Sequence, residues 1–455
     1  MMGIMTLSAV SAALGSKLIG RDPGFSRISI DTRTLKHGDL FVALKGENFD
    51  GNKFIPHAAN KGACGAVVSS EVSASLASLK VNDTQIALGK LAEMNRSLYI
   101  GILVAITGSG GKTTTKNILS SIFSLNGKTS ATRGNLNNEI GVPLTLLDIK
   151  EDDRYVIVEM GAAFPGDLNY LCNIAKPNVA VLLNAMPAHI QGFGSLEGVA
   201  AAKGEILSDL SATDVAVINR DSSFYKQWRK RAGSARIIDF GLDRSAQISA
   251  SKLCFLAEGA TQFDLRTPQG SRTVTLKLLG RHNVMNAMAA TAAAIAAEID
   301  IDVICKGLES VQAVCGRLCP LVGINDFLLI DDSYNANPEA VKAAIDVLAQ
   351  YQGKRYLLLG DMGELGDDAR LRHAEVGRYA LEQGIDFLWG MGSLTAEAVN
   401  EFGSNARMFS EKSEIIRAAK LEISAEDTVL VKGSRFAAMD EIVEALNKNN
   451  DLGAC

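Results

Sequence analysis

The chain has 455 residues, 47% of them hydrophobic and 21% charged, which is room for about three domains with ordinary cores. Its formal net charge of −5 argues against a nucleic-acid binder that works by neutralising phosphates, while leaving space for a local basic pocket. No apolar run nears the ~20 residues of a membrane span, the start MMGIMTLSAVSAALG lacks the basic residues of a signal peptide, and the seven scattered cysteines read as reduced thiols; a cytoplasmic chain without membrane insertion is expected.

Residues 1–84 carry short elements and turn signals, as in LKHGDLFVALKGENFDGNKF, with no long amphipathic helix before HAANKGA. They read as a small α/β unit. Next comes AITGSGGKTTTKN, Ala105 to Asn117, between the apolar run ILVAI and the helical pattern KTTTKNILSSIF. A glycine-rich loop between strand and helix can turn backbone N–H groups toward a polyphosphate, with a lysine reaching the β/γ-phosphates and a threonine hydroxyl taking Mg²⁺. Those roles fall to Gly108, Gly110, Gly111, Lys112 and Thr113; the glycine usually found six residues before the lysine is replaced by Ile106.

From 85 to 315 further strand candidates, YVIVEM, VAVLLN, VAVIN and ARIIDFG, alternate with helical stretches, the signature of a parallel sheet covered on both faces. YVIVEMGA sets Glu159 at a strand end, where a carboxylate beside a phosphate loop can hold Mg²⁺; the competing reading is a solvent-facing strand end. His189 follows a strand and loop and is a candidate ligand or orienting group, though such a histidine is more often structural. Lys203, beside three alanines, reads on its own as a solvated helix lysine. Residues 248–279 alternate as β-formers and predict a short antiparallel excursion, and NAMAATAAAIAAEI reads as a buried core helix.

After Gly316 the pattern restarts with FLLIDD, a helix from Pro338, RYLLLGDM, a helix near Leu371 to Gln383, DFLWGMG, another helix, and DTVLVKGS before a final helix. Val341, Ala344, Ile345 and Leu348 share one helix face, so a second open α/β domain is predicted over 316–455. GDMGELG, Gly360 to Gly366, has GxxGxxG spacing and is a poor dinucleotide fingerprint. Cys315 and Cys319 alone make no metal site and are assigned to packing.

Taken in order, TGSGGKTTTK, GNLNNEIGVPLTLL, VIVEMGA, PAHIQGFGSLEGVAAAKGEI, GRHNVMNAMAA and IDDSYNANPEAV strongly resemble the Mur ligase family of cell-wall enzymes across essentially the whole chain. The isoleucine at 106 fits that family's TGxxGKT form. DDSYNANP, LLLGDMGELG and SIDTRTLKHGDLFVALKGENFDG resemble the branch that joins D-alanyl-D-alanine to UDP-N-acetylmuramoyl-tripeptide in peptidoglycan precursor synthesis. The resemblance implies three domains: an N-terminal one for the UDP-substrate (1–84), a central P-loop ATPase-like one (85–315) and a C-terminal Rossmann-like one (316–455).

It also implies site residues. Thr107, Gly108, Ser109, Gly110, Gly111, Lys112 and Thr113 would hold the phosphates of ATP, with Thr113 and Glu159 on one Mg²⁺ and His189 at a second. Lys203 would be carbamylated and bridge toward that second metal, which reverses the solvated-lysine reading. Asn283 and Asn286 would lie on the adenine side, and Arg317 and Asp332 would reach the nucleotide from the C-terminal domain. Asp31 and Arg33 match the UDP-substrate segment, Asn335 and Asn337 the segment facing the dipeptide, and Lys432 and Ser434 are near-site candidates. Lys112, Glu159, His189 and Lys203 form the implied catalytic set of a monomeric ligase. The alternatives are the family member that adds the third amino acid, which would carry another motif in place of DSYNANP, and a non-catalytic nucleotide-gated binder of UDP-sugar peptides.

Overall fold

Short β-branched runs separated by helices give three main sheets. The computed structural model describes residues 1–46, 48–71, 76–187, 190–243, 245–256 and 259–449. The N-terminal sheet runs Leu18–Ile19, Ala77–Lys80, Gly65–Val68, Leu40–Val42 and Ile28–Ser29, parallel except for its first pair. It is followed by the helix Thr84–Ser97, whose start is fixed by Asp83: one carboxylate oxygen accepts from the Gln85 and Ile86 N–H groups at 2.7 and 3.0 Å.

That helix buries Ala87, Leu88, Leu91 and Ala92 in a cluster that holds Leu7, Leu40, Val67 and Leu79 on one side and Leu103, Val142, Leu146 and Val158 on the other. The apolar core therefore runs without a break across residue 84. Buried area acts irrespective of which sheet supplies it, so the two units are held by one hydrophobic contact.

The central sheet has nine strands, in the order Gly270–Leu276, Ala260–Thr267, Ile248–Leu256, Arg236–Gly241, Val215–Asn219, Val179–Leu182, Ile102–Thr107, Tyr155–Glu159, Thr129–Ala131. All neighbours pair in parallel except the last three in sequence, which form the antiparallel excursion and continue the same sheet. The alanine-rich helix Arg281–Ala296 is buried along almost its whole length, packed with Ile118, Leu119, Ile122 and Phe123 of the helix that follows the phosphate loop. Small side chains are what let that helix lie so deep between neighbours.

The C-terminal sheet runs Cys319–Val322, Leu328–Asp332, Thr428–Lys432, Arg355–Gly360, Phe387–Met391, Ala406–Phe409, antiparallel at the first pair and parallel thereafter. Val341, Ala344, Ile345 and Leu348 are buried against it as their spacing predicts. The two edge strands were not evident in the sequence. The described cysteines form no disulfide, and no helix among the described residues is long and apolar enough to cross a membrane.

In the central sheet Ile102–Thr107 lies between strands that follow it on opposite sides, Tyr155–Glu159 and Val179–Leu182. The carboxyl end of such a strand opens onto a crevice, because the two connections leave in opposite directions.

Candidate active site

The loop after Thr107 fills that crevice. Gly111, at φ 82°, is the cap of the helix Lys112–Ser124 and supplies no capping side chain, so the first N–H groups of the helix face the crevice. A Cβ on Gly111 would meet Asn286 Oδ1 at 2.3 Å, and one on Gly110 would meet Met186 Cε at 2.7 Å. At Gly111 the positive φ together with this contact calls for glycine, whereas at Gly110 the flexible Met186 side chain could give way.

The loop is braced from behind by residues 184–186. Asn184 exchanges side-chain bonds with both backbone groups of Gly110 (3.0 and 3.1 Å), its carbonyl accepts from the Ser109 N–H, and the Ser109 hydroxyl bonds to both backbone groups of Met186. Ser109 and Gly110 thus fix the loop's shape, and their N–H groups already have acceptors. Thr107 is likewise buried, its hydroxyl donating to the Met160 carbonyl at 2.8 Å. The groups left to meet a polyphosphate are the helix-start N–H groups, the Thr113 hydroxyl and Lys112, whose ammonium rests on the Gly108 carbonyl at 2.8 Å.

Glu159 is 2% exposed, so the solvent-facing reading of this strand end does not hold. Its Oε2 accepts from the Thr113 hydroxyl at 3.0 Å and its Oε1 from the Asn137 amide at 2.8 Å. Asn137 belongs to GNLNNEIG, a motif that gave no residue role on sequence alone. A threonine hydroxyl and a carboxylate in contact at the foot of a phosphate loop are hard oxygen donors, suited to Mg²⁺, which keeps water and phosphate oxygens as its other ligands. No group of three or more His, Cys, Asp or Glu side chains able to hold a metal occurs among the described residues.

Lys203 ends the helix Leu196–Lys203 and is 2% exposed, its ammonium donating to the Ala162 carbonyl at 3.2 Å. Burial, and secondarily the positive charge of Lys112, push it down to about 7. An alanine-flanked lysine reads as solvated until the fold shows that this helix packs its alanines, and the lysine with them, into the core. Burial also lowers Lys112, opposed by Glu159 and assisted by Arg317. Lys112, Lys203, Gly108 and Ser109 line a cleft of about 570 Å³ that reaches past Asn137, Asn138 and Tyr170 to Gln85 and Ile86, at the start of the helix Thr84–Ser97. His189 lies outside the described residues.

The C-terminal sheet contributes from across the crevice. Arg317 lines a small hollow with Thr113, Thr114 and Asn117 of the loop helix, its guanidinium 4.2 Å from the centroid of the Tyr334 ring. Asp332 is buried and bound at 2.6 Å by the Lys432 ammonium, which also donates to the Asn335 carbonyl at 2.9 Å. Its carboxylate is thereby turned to an internal ion pair. Asn337 caps the helix Pro338–Leu348, Oδ1 accepting from the Ala340 N–H at 2.8 Å, and the exposed Asn335 side chain bonds to the next residue's N–H. Ser434 is buried near Gly363.

Asn283 and Asn286 are buried: Asn283 donates to the Leu279 carbonyl, Asn286 donates to Asn283 Oδ1, and Asn286 lies against Gly111. Asp31 and Arg33 pair with one another at 2.7 Å on the N-terminal unit, and their contacts do not reach the cleft. The structure therefore brings together Lys112, Thr113, Glu159, Lys203, Asn286 and Arg317; it adds Asn137 and Asn184, and Asp31 and Arg33 do not line the cleft.

Comparison with known proteins covers most of the chain. Residues 25–104 match the model described as Mur ligase family, catalytic domain; 106–294 match Mur ligase middle domain; and 316–435 match Mur ligase, glutamate ligase domain. A UDP-N-acetylmuramoyl-tripeptide–D-alanyl-D-alanine ligase of Escherichia coli is 40% identical, covering 99% of both chains. MurF from Acinetobacter baumannii superposes with a TM-score of 0.91 at 35% identity, over 97% of this chain and 98% of that one. MurF from Thermotoga maritima, solved in complex with ADP, gives 0.85 at 28% identity over 94% and 98%.

Proposed function

This chain belongs to the Mur ligase family, and from that membership we infer that it is the ATP-dependent ligase joining D-alanyl-D-alanine to UDP-N-acetylmuramoyl-tripeptide in peptidoglycan synthesis. The observation that carries the reading is the cleft in which Lys112 and the buried Lys203 face the foot of the phosphate loop. Two ammonium groups on one cavity wall, with Arg317 nearby, make a local basic pocket inside an acidic protein. Such a pocket suits a reaction that gathers a polyphosphate and a carboxylate.

A carboxylate is a poor acyl donor, because its charge is delocalised and its oxygen leaves badly. Transfer of the γ-phosphoryl group of ATP to the tripeptide carboxylate makes an acyl phosphate. The amine of D-alanyl-D-alanine attacks its carbonyl carbon, and phosphate leaves. Lys112, whose ammonium rests on the Gly108 carbonyl, would exchange that acceptor for the β/γ-phosphate oxygens and offset the charge that develops there. Thr113 and Glu159 would hold Mg²⁺, which supplies countercharge to the phosphates when bound. Asn137 keeps Glu159 aimed at Thr113. Lys203, pushed down to about 7, is partly neutral at physiological pH, and the neutral amine is the form of lysine that CO₂ can add to with loss of a proton; as a carbamate it would be an anion able to serve a second metal together with His189.

We assign the UDP end of the substrate to residues 1–84, with Asp31 and Arg33, the nucleotide to 85–315, with Asn283 and Asn286 on the adenine side, and the dipeptide to 316–455, with Asn335 and Asn337. Arg317 and Asp332 act from that last unit, Arg317 directly and Asp332 through Lys432. The working enzyme is taken as a cytoplasmic monomer without nucleic-acid partners. ADP release measured with ATP and Mg²⁺, leaving out the UDP-tripeptide or D-alanyl-D-alanine in turn, tests the assignment: release needs both. Release that persists without D-alanyl-D-alanine, or that a free third-position amino acid supports with the shorter UDP-peptide, would overturn it.

A further inference from the structure

One turn beyond Lys112 on the same helix, Lys116 is 5% exposed, although a lysine is seldom buried without a partner. Its ammonium donates to the Thr132 carbonyl at 2.9 Å and stands 3.9 Å from Glu159 Oε2, the oxygen that also accepts from Thr113. The Thr132 hydroxyl in turn accepts from the Glu159 N–H at 2.9 Å. Lys116, Thr132 and Glu159 thus form a closed buried unit behind the loop, and Lys116 has no contact with the cleft that Lys112 lines.

We propose that Lys116 is a built-in counter-cation for Glu159: it balances that carboxylate and holds it aimed while no metal is present, and opposes the charge of an arriving Mg²⁺. The inference rests on Glu159 being the metal carboxylate, as in the reading above. A buried carboxylate left alone is strongly destabilising, whereas one with a fixed ammonium nearby is tolerated. The same ammonium stands close to where a divalent ion must sit, so it weakens metal binding to the nucleotide-free protein; the phosphates of ATP then add the negative charge that tips the balance. Lys116 is a positioning residue, and the consequence of its charge is that metal and nucleotide enter together.

The test is thermal unfolding of the full chain without nucleotide, in MgCl₂ at constant ionic strength. For the unaltered protein the midpoint should hardly move with Mg²⁺. Lys116→Met should have a lower midpoint without the metal, recover several degrees as Mg²⁺ is added, and show a Mg²⁺ dissociation constant lower by roughly tenfold or more; Lys116→Arg should behave like the unaltered chain. If Lys116→Met does not fold, the double variant Lys116→Met with Glu159→Gln should, because it removes the orphan charge, and it should show no response to Mg²⁺. Equal Mg²⁺ responses in the unaltered, Met and Arg proteins, or a double variant as damaged as the single one, would overturn the proposal. Neither readout uses the organic substrates, so failure of the ligase assignment would be visible separately.

Discussion

Lys112 and Lys203 are both ammonium groups in sequence, yet their surroundings separate their work. Lys112→Ala should reduce ADP release by about a hundredfold or more, the usual loss for one preorganised charge donor of roughly 3 kcal/mol, with an unchanged circular-dichroism spectrum; turnover within a few-fold of normal would remove it from the cradle. Lys203 is set by burial. Its folded value of about 7 lies below the ordinary lysine value of 10.5, so between the two the unfolded chain binds more protons and folded stability rises with pH. The destabilisation is complete below about pH 7. Lys203→Met should therefore raise the thermal midpoint near pH 6 in bicarbonate-free buffer and lose that gain near pH 10; a gain of equal size at both would mean that burial of the charge is not its source. Gly111→Ala should weaken ADP binding at least about tenfold, since a side chain at φ 82° is strained and would strike Asn286. Chemistry of this kind was legible wherever a motif fixes a backbone shape. The burial of Lys203 was not, because nothing in AAAKGE tells an inward face from an outward one, and Asn137 and Lys116 gain their roles only from strands distant in sequence.

Strands in the centre of each sheet could be read as apolar runs because both their faces are covered. Cys319–Val322 and Ala406–Phe409, at the edges, are mostly half-buried or exposed and are too short to carry a pattern. The helix Pro338–Leu348 was legible from its stripe and its proline, while the sequence assigned Asn337 to substrate and the fold gives it a cap. The two roles separate experimentally. Asn337→Ala should cost about 1 kcal/mol of stability and Asn337→Asp much less, as is usual for caps, measured by denaturant unfolding. If Asn337→Ala instead leaves stability untouched and raises only the KM for D-alanyl-D-alanine, the cap is not what the residue is for.

Across the molecule, cores and sheets do not coincide. One apolar cluster joins the N-terminal sheet to a face of the central sheet, while the C-terminal sheet has separate clusters on its two faces, one of which takes in Leu279 from the preceding unit. The chain has two tryptophans, both fully buried: Trp228 in the shared cluster, its indole N–H donating to the Ala200 carbonyl, and Trp389 in the C-terminal one. Single-tryptophan variants, Trp389→Phe and Trp228→Phe, should report different denaturant midpoints by fluorescence, because separate cores need not melt together. Coincident transitions would show that the crevice couples all three sheets. Three α/β units were expected from the sequence, and three main sheets are present beside a two-stranded one; the unequal coupling was not legible, since it depends on which face of the helix Thr84–Ser97 meets which neighbour.

That helix also sets where the chain can be recombined. A chimera that takes its first 84 residues from a relative would splice a foreign sheet onto a native helix, and Leu88 and Leu91 would face side chains chosen for another partner. The exchangeable piece extends at least to Ser97, and its underside must still fit Val142 and Leu146 of the host. Transplanting sugar-nucleotide preference between such enzymes is thus a problem of matching a seam, and the seam lies inside what the sequence marks as the second domain.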